Sequence, residues 1–142
     1  MTTRTPSPGK KAQHTAKWAR TMTKWLITYS RRKGARWNVV DFGGRTKAES
    51  RGIVDLMAIR KDHRNEGPSL KRGDLFEIVL IQTKGGSASK PTAEDRARLS
   101  RVARHYRAKR VVLATWHHGA SPELSELHGS SWKAVAPSEI FG

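Results

Sequence analysis

The sequence predicts an α/β domain with an αβββαβ core, a mixed central sheet with helices packed against it. Three observations predict it. Apolar residues recur with helical period in two separated segments, and runs of aliphatics of strand length lie between and after them. One helical segment is bracketed by two such runs, and strand, helix, strand implies a crossover joining two parallel neighbours. A chain of 142 residues is enough for one core of two or three layers. Residues 14–142 read as a single domain, and residues 1–13, "MTTRTPSPGKKAQ", as a flexible basic tail.

Taken in order, the first helix runs from about Thr15 to Lys33. Trp18, Met22, Trp25 and Tyr29 mark one face at steps of four, three and four, and Leu26 widens it. That spacing favours the core for Trp18 and Trp25 over base-stacking platforms, with Lys17, Arg20, Lys24, Arg31 and Arg32 on the remaining surface and Gly34 as the stop. "ARWNVVDF" reads as the first strand, closed by Gly43 and Gly44. The loop "RTKAESRG" leads to a second strand from Ile53 to Ile59, and the loop "RKDHRNEGPSLKRGD" to a third from Leu75 to Lys84. After "GGSASK", Thr92 is the N-cap of a second helix with Asp95 at its third position. Its apolar face is Leu99, Val102, Ala103 and Tyr106. "RVVLATW" is the next strand; a turn or short helix from Pro122 to Leu127 and a last strand near "WKAVA" follow. Trp37, Trp116 and Trp132 read as core.

Charge narrows the function. Lys and Arg total 28 against 12 Asp and Glu, a formal net charge of +16 with basic residues throughout the chain. Such a surface attracts a polyanion through phosphate contacts and counterion release. No apolar run approaches the roughly 20 residues a membrane span needs, and no signal segment precedes the first helix. With no cysteine in the chain, disulfides, zinc ribbons and thiol catalysis are excluded, and the cytoplasm is the expected location. Phosphate-cradling, dinucleotide and serine-hydrolase signatures are absent as well. His117, His118 and His128 lack the companion Asn and His of a histidine-metal nuclease, and His117 and His118 read as loop residues near the DNA.

Two strands carry groups that a purely structural strand would not choose. Asp55 is flanked by aliphatics, and burying it alone would cost several kcal/mol. It therefore requires an Arg, a Lys or a metal ion as partner, and the ordinary alternative is a structural ion pair. Gln82 and Lys84 share one face of the third strand, with Thr83 on the other. If the second and third strands are antiparallel neighbours, acid, amide and ammonium converge at one end of the sheet. Glu77 is excluded from that group because it lies an odd number of positions from Gln82.

Val54-Asp55 followed by Gln82-Thr83-Lys84 resembles the motif of the PD-(D/E)xK nuclease superfamily, and "ESRGIVDLMAI" is similar to the segment that archaeal Holliday-junction resolvases place before their catalytic aspartate. The likeness runs from about Lys17 to Trp116. It implies a restriction-endonuclease-like fold and a metal-dependent endonuclease cutting DNA, including branched DNA formed in recombination, with RNA an open alternative. It also implies Mg²⁺, for which Mn²⁺ can substitute, and a homodimer. In the implied site Asp55 binds the metal, Gln82 offers its amide oxygen and Thr83 its carbonyl. Lys84 orients or deprotonates water, or steadies charge on the phosphate. Gln82 departs from the usual acid of the pattern, and the first helix contributes none, so Glu49 is the substitute candidate and Asp41 a second. Ser50, Arg51, Lys90 and Arg96 are candidate phosphate contacts. The alternative is a non-catalytic nucleic-acid-binding protein with a degenerate nuclease fold.

Overall fold

The structure, a computed structural model, describes residues 8–30 (8–13 as backbone), 36–43, 52–63, 67–86 and 88–142. The elements are α1 Pro8–Ser30, β1 Asn38–Asp41, β2 Leu56–Asp62, β3 Leu75–Gly85, α2 Ala93–His105, β4 Arg110–Trp116, β5 Glu123–His128, β6 Ser131–Val135 and α3 Pro137–Phe141. All the described strands join one six-stranded sheet in the order β1-β2-β3-β4-β5-β6. The β3–β4 pair is parallel and is bridged by helix α2; the other pairs are antiparallel. The α/β class and the mixed sheet expected from the sequence are therefore present. Among the described residues no helix is long and apolar enough to cross a membrane.

The sheet is covered on both sides. Successive residues of β4 divide between two cores: Val112 and Ala114 join one, Val111 the other. The period of two sends such neighbours to opposite faces. On the first face Ile27 of α1 and Ile140 and Phe141 of α3 pack on Leu56, Ala58, Val79, Ile81 and Val112. On the second face Leu99 of α2 packs with Ile53 and Val111, with Val102 and Ala103 beside it. The Thr92 cap is formed in both directions: the Asp95 N–H donates to Thr92 Oγ1 at 3.1 Å, and the Thr92 N–H to Asp95 Oδ2 at 3.0 Å.

Helix α1 corrects the sequence reading of its own faces. It begins at Pro8 rather than near Thr15, and the side it turns to the sheet is Ala19, Thr23 and Ile27, all essentially inaccessible. Trp18 and Trp25, expected in the core, are 42% and 54% exposed. The reason is clearance. A Cβ placed on Gly85 of β3 would lie 3.0 Å from Thr15 Cγ2 and 3.2 Å from Ala19 Cβ. The helix backbone approaches the strand so closely that small side chains fit between them and indoles do not. Trp37 and Trp116 are buried as expected, and Trp132 packs on the second core.

Three further boundaries differ. β2 starts at Leu56, not Ile53, because Ile53 and Val54 turn into the α2-side core instead of continuing the ladder. Pro122 to Leu127 contains strand β5 rather than a turn or helix, its buried Leu124 and Glu126 alternating with more open neighbours. Tyr106 is the C-cap of α2, not part of its buried face; its ring is exposed and meets His105 edge-on at 4.7 Å.

Candidate active site

The site forms where β2 begins and β3 ends. Leu56 is already the ladder partner of Ile81, yet the Asp55 N–H also donates to the Ile81 carbonyl, at 2.9 Å. Two residues thus face one, a bulge-like step of the kind that re-aims a side chain. The Asp55 carbonyl accepts the Phe42 N–H at 3.0 Å, so its backbone is held from both sides. Its carboxylate turns toward β3 and replaces the next main-chain acceptor. Oδ2 accepts the Thr83 N–H at 2.8 Å and the Thr83 hydroxyl at 3.3 Å. Asp55 therefore lies at the entry to β2, not within it as the sequence suggested.

On β3, Val79 and Ile81 belong to the α1-side core, so Gln82 and Lys84 face the α2 side by alternation. Gln82 is 5% exposed, and its Oε1 is buried with no hydrogen-bond partner among the described residues. An unpaired buried acceptor costs about 1–3 kcal/mol. Lys84 is half-buried near the strand end, and its ammonium acts on two carboxylates, Asp55 and Asp95.

Burial pushes the Asp55 carboxyl above its ordinary value. The Thr83 bonds, then the charges of Lys84 and Arg20, oppose that rise without cancelling it. Asp95, at the open N-terminus of α2, is shifted the other way. The Thr92 backbone N–H is the main cause, with Lys84 and Arg98 adding to it.

These donors suit a hard divalent cation, which takes oxygen ligands and keeps several waters. Among the described residues the Gln82 oxygen lacks a partner, and both hydrogen bonds that reach Asp55 end on one of its two oxygens. Among the described residues no group of three or more His, Asp or Glu side chains could hold a metal. A cation here would depend on one carboxylate, one amide oxygen and main-chain or water oxygens. Glu49, Ser50 and Arg51 lie outside the described residues.

The remaining candidates are placed as follows. Asp41 points to the α1 side, where Lys24 Nζ lies 2.8 Å from Oδ2 and the Gly43 N–H donates to Oδ1 at 2.8 Å. Arg20 Nε stands 3.1 Å from Oδ1 without hydrogen-bond alignment. Asp41, the second candidate for the missing acid, is thus held by α1 and the Gly43 N–H. Glu77 faces away from Gln82 as expected, paired with Arg60 at 3.0 Å and Lys109 at 3.5 Å. Lys90 is exposed. Arg96 is drawn back, donating through Nη1 to the Pro91 carbonyl at 3.3 Å. His117 and His118 follow β4 at the same sheet end as Lys84, which pairs in register with Thr115. The sequence reading missed Arg20, which touches Asp41 and acts on Asp55. Its helical position opposite Trp18 carried the signal, once the inward face of α1 is known.

No family model matches the chain, and no curated relative matches it. Among solved structures it is similar to Hjc, a Holliday junction resolvase from the archaeal hyperthermophile Archaeoglobus fulgidus. The identity is 14% and the TM-score 0.49, over 87% of this chain and 99% of that one.

Proposed function

We propose that this chain is a metal-dependent endonuclease that hydrolyses phosphodiester bonds in DNA, branched DNA such as four-way junctions among its substrates. One observation carries the reading: the Asp55 carboxylate is fastened to the N–H of Thr83, the residue that follows Gln82, whose buried side-chain oxygen has no partner among the described residues, and the Lys84 charge acts on that carboxylate. Buried amide oxygens are nearly always paired with protein, water or an ion, and a cation is the occupant this proposal assigns to Gln82.

Asp55 and Gln82 would hold Mg²⁺, or Mn²⁺ in its place, with the Thr83 carbonyl and Glu49 as further ligands. When bound, the ion supplies Lewis acidity toward the phosphate and lowers the pKa of a bound water. The protein does the rest. Lys84 faces the same side as Gln82 and places a positive charge where the phosphate gains negative charge, or holds the attacking water. Lys90, with Ser50 and Arg51, draws the backbone toward that end of the sheet. The surplus of cations, +16 over the chain, supplies the approach. Cutting both strands requires two sites, so a homodimer acting in the cytoplasm completes the proposal.

The neutral Gln82 favours a second reading, a binding module with the same fold that does not cut. Cleavage decides between them. Supercoiled plasmid, linear duplex, four-way junction, single-stranded DNA and RNA are incubated with Mg²⁺, Mn²⁺ or EDTA. The nuclease reading expects cutting with a metal and none in EDTA, lost in Asp55→Asn and Lys84→Ala while binding persists. An intact set of substrates with wild type and either metal leaves the binding module.

A further inference from the structure

The face of α1 turned away from the sheet is aromatic. Trp18, Trp25 and Tyr29 are 42%, 54% and 83% exposed, with Met22 between them in the same line. At about 1.5 Å per residue the rings span roughly 16 Å along the helix. The Trp18 ring is also set in place: its Nε1 donates to His14 Nε2 at 2.9 Å, and the two rings meet edge-on at 6.2 Å.

Charge identifies the occupant. Helix α1 contains Lys10, Lys11 and Lys17 and no acidic residue, while its Arg20 and Lys24 are paired with Asp41. A second copy docking α1 on α1 would set these cations against their like. A polyanion with flat apolar faces meets both features at once. From these observations we infer that the outer face of α1 is a stacking platform for single-stranded nucleic acid, Trp18, Trp25 and Tyr29 receiving unpaired bases while the exposed Lys17 holds the backbone. Bases inside a duplex present their edges rather than their faces, so the platform selects unpaired segments. The helix also leads to the site described above. Thr15 and Ala19 lie against Gly85, the residue after Lys84, and Arg20 acts on Asp55. The inference stands apart from the cleavage proposal, because it concerns binding and is read without metal.

The test is equilibrium binding of the full chain, in EDTA, to fluorescein-labelled oligothymidylate and to a duplex of equal length. Trp25→Ala should weaken single-strand binding by about 5- to 150-fold and change duplex binding by less than about twofold. Trp25→Phe should keep most of the affinity, and because it preserves a ring it also controls for damage to the helix. Single-strand affinity unchanged in the triple variant Trp18→Ala, Trp25→Ala, Tyr29→Ala would overturn the inference. So would equal losses on both DNAs accompanied by a fall from dimer to monomer in sedimentation, which assigns the face to a second copy. Loss of binding to phosphatidylserine vesicles with DNA binding intact would assign it to a membrane surface.

Discussion

Asp55 Oδ2 accepts the main-chain N–H of Thr83 at 2.8 Å, which fastens the carboxylate to the residue between Gln82 and Lys84. The contact is structural and chemical at once. It closes the β2–β3 ladder where the backbone of β2 no longer runs alongside, and it leaves the other carboxylate oxygen to face whatever occupies the site.

Removing the acceptor and removing the charge should therefore differ. Asp55→Ala leaves the Thr83 N–H without its partner and should cost about 1–3 kcal/mol of stability. Asp55→Asn keeps an acceptor oxygen. Both should abolish cutting, and urea unfolding should separate them; equal stability of the two variants would contradict the bond's role.

The pH dependence follows from burial. The folded Asp55 carboxyl sits above its ordinary value of 3.8, so the folded protein holds that proton more tightly than the unfolded chain. The resulting stability is complete below the unfolded value and is lost as pH rises through the raised folded one. Asp55→Asn cannot ionise and escapes that loss. In EDTA its melting temperature should gain on wild type as pH rises from about 3 toward neutrality, and a pH-independent difference would show that folding does not perturb the carboxyl.

Gln82→Glu probes the metal without an activity assay. It places a second carboxylate at a position only 5% exposed, which is costly without a counter-charge. The variant should melt below wild type in EDTA, recover with millimolar Mg²⁺, and bind Mn²⁺ more tightly by calorimetry, since binding to the folded state alone stabilises it. Indifference to both ions would remove Gln82 from the ligand set.

Gly85→Val tests the close docking of α1. The added Cβ meets Thr15 Cγ2 at 3.0 Å, with Ala19 Cβ and the Thr15 carbonyl each at 3.2 Å. Overpacking of this kind costs about 1–3 kcal/mol, and it should push α1 outward and carry Arg20 from Asp41. Chemical denaturation measures the first effect, and weakened cutting at unchanged Lys84 the second.

Phe141→Ala should destabilise by about 3–5 kcal/mol. Its fully buried ring meets Trp37 edge-on at 5.5 Å, and its carbonyl accepts Trp37 Nε1 at 3.1 Å. Loss of that packing should shift Trp37 emission to the red in the folded state, a readout separate from the denaturation midpoint.

Much of the architecture was legible in the residues. The β3-α2-β4 crossover, the Thr92–Asp95 cap, the burial of Trp37 and the separation of Glu77 from Gln82 all follow from period and capping chemistry acting locally. The inward face of α1 was not legible. Trp18, Met22, Trp25 and Tyr29 form a better apolar stripe than Ala19, Thr23 and Ile27, and periodicity favours the larger side chains. The closeness of Gly85 decided otherwise, and that closeness is a property of two elements far apart in sequence.

The sequence by itself determined the class of fold, the basic surface and the identity of the acid, amide and ammonium worth watching, because each depends on a residue type or a short-range period. The tertiary structure alone decided that Asp55 leaves its strand to take the Thr83 N–H, that Asp41 is spent on α1, and that the tryptophans of α1 face outward. Each of these is a contest between partners for one position in space. Local patterns list the contestants, and only packing determines which of them fits.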